Sequence, residues 1–228
     1  MTYTIQNIAI NLRKDKISIL EITQLMLKNI KANDLNAFIS VFEQESIQKA
    51  KELDTQLKKL SQDEKEQLPL LYGIPLAIKD LFCTIDGKTT AGSAMLRNYE
   101  SPIESTVTSK LKQLNSIFIG KTNLDEFAMG SSNETSYFKY VKNPIDPTRT
   151  PGGSSGGSAA AIGANQAIAA LGTDTGGSVR LPASYTGSVA MRPTYGSCSR
   201  YGIAAFASSL DQPGPMTKNI KDNAILLN

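Results

Sequence analysis

From residue 70 onward the chain is punctuated: short apolar runs alternate with loops of glycine, serine and threonine. LYGIPLAIKD places a buried strand at Ile74–Ile78 that ends at Lys79, SIFIGKTN reads as a second strand, and AIAALG as a third, leading into the loop TDTGGS. Between them Val107, Leu111 and Leu114 mark one helix, and the small residues of Ser155–Ala164 mark another. Strand and helix therefore alternate. This pattern predicts an α/β fold, a sheet covered by helices on both faces, with its loops gathered at one end as a site.

The first third reads differently. Ser18 and Glu21 form a capping box, in which the hydroxyl accepts from the amide three residues on and the carboxylate reaches back. Ile22, Met26 and Ile30 then recur every turn, predicting a helix near 18–32. AFISVF (37–42) reads as a strand. Ala50, Leu53, Leu57 and Leu60 mark a second amphipathic helix whose charged side is a solvated outer face. SQDEKEQ (61–67) reads as a polar connection. There is no internal repeat and no interdomain linker, so 1–65 is expected to form a helical N-terminal region and 66–228 the core segment of one domain.

Charge and residue counts narrow the chemistry. The net charge is +3 and lysines are scattered among acids, so no basic patch asks for a nucleic-acid backbone, and any tRNA or DNA partner would have to be held by something else. Two cysteines, Cys83 and Cys198, are too few for a disulfide scaffold. No leader pattern opens the sequence, and no apolar run approaches the roughly 20 residues that span a bilayer. A soluble protein of a reducing compartment is expected, without a membrane partner. The sequence contains no histidine. Every Ser-His-Asp or Cys-His triad is thereby excluded, and a metal site is disfavoured.

PGGSSGGS (151–158) has the composition of a linker, but it runs directly into the small-residue helix, where a spacer serves no purpose. It does not cradle phosphate: around Gly120-Lys121-Thr122 the first glycine of a P-loop is replaced by Asn115. Gly152-Gly-Ser154-Ser-Gly156 matches the nucleophile elbow, yet that device needs a histidine base. The S-x-x-K matches at Ser46–Lys49 and Ser109–Lys112 fall in charged helices without the accompanying motifs. A serine activated by lysine remains, which requires a neutral amine; holding one at pH 7 costs roughly 4–5 kcal/mol, to be supplied by burial. Lys79, at the end of an apolar run, is best placed. The alternative is an ion pair between Lys79 and Asp80 or another acid. In TDTGGS, consecutive glycines let amides point into one concavity suited to an oxyanion, with Ser178 beside them. The alternative there is a plain glycine turn with a surface serine.

At these residues the chain resembles the amidase signature family. The resemblance rests on Gly152–Ala161, on Gly172–Arg180, and on Lys79 within Pro75–Asp80. It implies Ser178 as the acylated nucleophile, Ser154 as a bridging serine after a cis Gly153–Ser154 peptide, and Lys79 as the base. It also implies backbone amides of Thr175, Gly176 and Gly177 as oxyanion donors. GKTNLDEFAMGSS (120–132) and RYGIAAFASSLDQPGPM (200–216) resemble the branch of glutaminase subunits in glutamyl-tRNA(Gln) amidotransferases. That implies glutamine as substrate, Met129, Gly130 and Ser131 lining its pocket (with packing as the alternative for Met129), and B and C partner subunits. ATP and magnesium would belong to a partner, with no cofactor in this chain. The implied location is the bacterial cytoplasm or an organelle stroma or matrix.

The chain departs from usual family residues at Leu181, Ala190, Arg192 and Ser197, and Leu181 lies three residues past the implied nucleophile. Family members run about twice as far. The expectation is a fragment with a mixed sheet incomplete at its C-terminus, ending in an apolar helix over 222–228 and active only if a second chain completes it; the alternatives are a stand-alone amidase acting on another small amide and an inactive fragment.

Overall fold

The structure, a computed structural model, describes residues 3–228; the first two residues of the expected 1–65 region lie outside them. A helix precedes the one expected. In α1 (Ile5–Arg13) the Thr4 hydroxyl caps the first turn, and Ile5, Ile8, Ala9 and Leu12 form the buried stripe. The Ile5 amide also donates to Asp222 Oδ2 at 2.9 Å, tying the start of the chain to its end. Helix α2 (Ile19–Ala32) carries the Ser18–Glu21 capping box. It is joined to α3 (Glu43–Leu57), where Ala50, Leu53 and Leu57 are buried, through Asp54, which accepts from the Ile19 and Leu20 amides at 2.8 and 3.0 Å. The polar stretch 61–67 is not merely a connection. It folds as α4 (Gln62–Glu66) with its own capping box between Ser61 and Glu64, an S-x-x-E signal present in the letters.

The sheet has six strands: β1 (Phe38–Val41), β2 (Pro75–Lys79), β3 (Ile117–Thr122), β4 (Ala169–Asp174), β5 (Val189–Ala190) and β6 (Gln212–Thr217). Their order is β1-β3-β2-β4-β6-β5. β2 runs parallel to both β3 and β4, and every other pairing is antiparallel, so the sheet is mixed. The third strand starts two residues later than the run AIAALG suggested and extends to Asp174. β6 escapes pattern reading because Pro213 and Pro215 cannot donate to a ladder. Helix α5 (Thr106–Gln113) lies in the crossover from β2 to β3, and α6 (Gly156–Gly163) in that from β3 to β4; α7 (Arg180–Thr186) and α8 (Ile220–Leu227) follow.

Two details set up the site. Gly156 to Ile162 of α6 are all buried, and a methyl group on Gly157 would collide with the carbonyl oxygens of Ala37 and Asn123, so small residues let α6 seat directly on the sheet. The pairing of β2 with β3 contains a bulge. Leu76 faces Phe118 but Ala77 faces Gly120, passing over Ile119; beyond it Ile78 faces Lys121 and Lys79 faces Thr122.

Candidate active site

β2 is buried along its whole length, and its last residue, Lys79, has no solvent exposure. Its Nζ lies 2.7 Å from Ser154 Oγ, 2.9 Å from Ser155 Oγ and 2.8 Å from Thr173 Oγ1. All three are hydroxyls, each able to donate or accept. The Ser155 hydroxyl donates to the Thr173 carbonyl at 3.2 Å and also accepts from the Thr173 amide at 3.3 Å. Its single hydrogen is thus spent, and Lys79 must donate to it. A neutral amine still has one hydrogen and one lone pair for Ser154 and Thr173.

Burial lowers the Lys79 pKa from 10.5 to about 7, against the opposing pull of Asp125, Asp174 and Asp211. The nearest acid in sequence serves another amine. Successive side chains of a strand point to opposite faces, and Asp80 pairs with Lys121 Nζ at 2.9 Å, so the alternative of a Lys79–Asp80 ion pair does not hold.

All of Pro151–Ser158 is buried, which disposes of the linker reading. The Gly153–Ser154 peptide is cis. A Cβ on Gly153 would overlap Asp125 Oδ2 and approach the Ser132 and Asn133 amides to 2.9 and 3.0 Å. Asp125 organises this corner: its carboxylate accepts from the Asn133 amide at 2.9 Å and the Thr135 hydroxyl at 3.0 Å, and its amide donates to the Ser154 carbonyl at 3.3 Å.

Ser178 sits at the opening of the site, 9% exposed. Its carbonyl accepts from the Ser155 amide at 3.1 Å, which holds the two serine loops together. Its hydroxyl has no hydrogen-bond partner among the described residues, so Lys79 and Ser154 are joined while the step from Ser154 to Ser178 is open.

The loop before it is shaped by Asp174. The Asp174 carboxylate accepts from the Gly177 amide at 2.7 Å, the Val179 amide at 3.2 Å, and both Nε and Nη2 of Arg180 at 3.0 Å. Burial pushes this carboxyl upward, but the Arg180 guanidinium and the two amides outweigh burial and hold it below its ordinary value. The Gly177 amide, expected to face an oxyanion, donates to Asp174 in this structure. The amides of Thr175 and Gly176 donate to no described group, and a Cβ on Gly176 or Gly177 would meet nothing within 4 Å. The Thr175 hydroxyl donates to Asp211 Oδ1 at 2.6 Å. Met129, Gly130 and Ser131 lie exposed on the loop that wraps Asp125. Arg192, one of the departures, reaches Asp174 Oδ1 at 3.4 Å and donates to the Leu210 carbonyl at 2.7 Å.

Sequence reading missed Ser155 and Thr173 as partners of the amine, and Asp125 and Asp174 as the organisers of the loops. Asp174 was within reach, since an acid six residues before an arginine across a glycine turn is a loop clamp in outline. Nothing local marks Asp125.

An α/β sheet that buries an amine against serine hydroxyls, beside a glycine loop with free amides, has the parts of an amide-cleaving enzyme without histidine. The chain belongs to the amidase family, whose model matches residues 21–228. It is 53% identical over 225 residues to the A subunit of the glutamyl-tRNA(Gln) amidotransferase of Pelagibacter ubique (strain HTCC1062), covering 98% of this chain and 44% of that protein. The corresponding protein of Coxiella burnetii (strain Dugway 5J108-111) is 52% identical over 227 residues, covering 99% and 46%. The crystal structure of the A subunit of the Thermotoga maritima glutamyl-tRNA(Gln) amidotransferase superposes with a TM-score of 0.81 at 47% identity, over 98% of this chain and 45% of that one. The chain thus spans less than half the length of these relatives. Among the described residues, no helix is long and apolar enough to cross a membrane.

Proposed function

We propose that the chain carries the glutaminase chemistry of a tRNA-dependent amidotransferase. Ser178 Oγ attacks the side-chain amide carbon of glutamine; its proton passes to Ser154 Oγ as Ser154 gives its own to the neutral amine of Lys79. The oxyanion takes hydrogen bonds from the Thr175 and Gly176 amides. When the tetrahedral adduct collapses, the proton returns through Ser154 to the leaving nitrogen, which departs as ammonia and leaves a γ-glutamyl ester on Ser178. Water, deprotonated by the same route, releases glutamate and restores the serine.

The open step between Ser154 and Ser178 closes as substrate enters, since hydrogen bonds of this kind tighten in the loaded complex. Met129, Gly130 and Ser131 line the glutamine pocket. The ammonia serves transamidation of Glu-tRNA(Gln) in a complex with B and C subunits, which hold the tRNA and supply ATP and magnesium; the compartment is the bacterial cytoplasm or an organelle stroma or matrix.

The observation that carries this reading is the contact set of Lys79: a fully buried amine with three hydroxyls at 2.7–2.9 Å and, among the described residues, no bonded carboxylate. The test is ammonia release from glutamine, measured for the chain alone and in complex with its partner subunits, against Ser178→Ala. Release in either setting that Ser178→Ala abolishes supports the reading. Release that survives the substitution overturns it, and turnover of simple aliphatic amides but not glutamine replaces it with a stand-alone amidase.

A further inference from the structure

Gly120-Lys121-Thr122 fails as a phosphate loop, yet its lysine is as buried as Lys79. The two amines have unlike surroundings. Around Lys121 Nζ lie the Phe82 carbonyl at 2.9 Å, the Lys88 carbonyl at 3.2 Å, the Thr89 and Thr84 hydroxyls at 3.1 and 3.3 Å, and Asp80 Oδ1 at 2.9 Å. The Asp80 contact is an ion pair off hydrogen-bond alignment. Two carbonyls and a carboxylate can only accept, so a neutral amine would turn its lone pair against one of them; Lys121 is an ammonium. Among the described residues, Lys79 bonds to hydroxyls alone.

Asp80 is the chain neighbour of Lys79. Its other oxygen takes the Thr90 amide at 2.9 Å and the Thr90 hydroxyl. Left uncompensated, this buried carboxylate would favour a proton on the amine next to it.

We infer that Lys121 is a positioning residue for the base: by neutralising Asp80 on the opposite side of β2, it keeps that carboxylate from charging Lys79. This rests on the reading of Lys79 as the base. The other groups that face Lys79 are unchanged by the pair. They are the hydroxyls of Ser154 and Ser155 before α6 and of Thr173 in β4, and the carboxylates of Asp125 after β3, Asp174 at the end of β4 and Asp211 before β6. Asp174 is itself held by Arg180 and Arg192. Those three carboxylates already pull the amine toward its charged form, and Asp80, paired with Lys121 across the strand, is not among them.

The test needs no turnover. In the full chain labelled with 13C,15N-lysine, the Lys79 side-chain resonances, assigned by their loss in Lys79→Met, are titrated by NMR. Lys121→Met should raise the Lys79 midpoint by about one pH unit, Asp80→Asn should lower it by a similar amount, and the double substitution should return it near the original. If Lys121→Met does not fold, the opposite shift in Asp80→Asn and the recovery in the charge-neutral double variant still decide the matter. One midpoint shared by all folded variants overturns the inference while leaving the base reading intact. A native midpoint near 10 overturns the base reading and this inference with it.

Discussion

Replacing Lys79 by methionine should change how stability depends on pH. In the fold the amine binds its proton only below about pH 7, whereas in the unfolded chain it does so below 10.5. Between these values the unfolded state holds one more proton, so folding stability rises with pH, by about 1.4 kcal/mol per pH unit at most. For a lysine of depressed pKa the penalty is full below pH 7 and is relieved as pH climbs toward 10.5. From pH 7 to pH 10 the relief sums to about 3.5 kcal/mol. Lys79→Met has no such group. Urea unfolding of both proteins at pH 7, 8, 9 and 10 gives the difference directly, and the titration of the remaining lysines and tyrosines cancels in it. The native chain should gain about 3 to 4 kcal/mol on the variant across that range. Parallel curves would refute the neutral amine, and with it the proton route assigned to Ser154.

Ser154→Ala should slow glutamine-dependent ammonia release by about 100- to 10,000-fold, the span of a lost proton-transfer group, in an ammonia assay of the complex. Asp174→Ala strips the partner from Arg180 and from the Gly177 and Val179 amides, and because Arg180 is half exposed the loss falls mainly on the amides, about 1–3 kcal/mol in urea unfolding at pH 7. The contribution of Asp174, whose folded pKa is depressed, is present above its ordinary pKa and lost as pH falls through the folded one, so native and variant should converge in acid. Gly153→Ala places a methyl group into Asp125 and should cost about 1–3 kcal/mol by overpacking, read as a lowered thermal midpoint. Ser18→Ala should cost about 1 kcal/mol through loss of the cap on α2 without touching the site.

Elements whose own side chains decide their structure were legible. The Ser18 box, the Ala50, Leu53 and Leu57 stripe of α3 and the runs that became β2 and β3 stand where their periodicity put them, because burial and capping act within a few residues, while Leu60 falls in the turn after α3. α1 and β6 were not. α1 draws part of its stability from Asp222, over two hundred residues away, and β6 is held by its neighbour β4 despite its prolines. At the site, Lys79 could be singled out because it ends an apolar run and Ser178 because it follows a glycine pair, whereas Ser154 was named through resemblance to the family alone. The role of Asp80 could not be settled from adjacency, since only the alternation of β2 and the position of Lys121 on β3 show which amine it serves. The same holds for Gly177, whose amide is claimed by a carboxylate three residues earlier.

The passed-over Ile119 has a consequence for charge sorting. Were β2 and β3 zipped without the skip, Lys79 would lie opposite Lys121, and two amines would crowd one compartment while Asp80 faced neither. One surplus residue in a ladder therefore separates an amine that meets a carboxylate and carbonyls from one that meets hydroxyls. Deleting a residue there would spare every functional group and still ruin the chemistry.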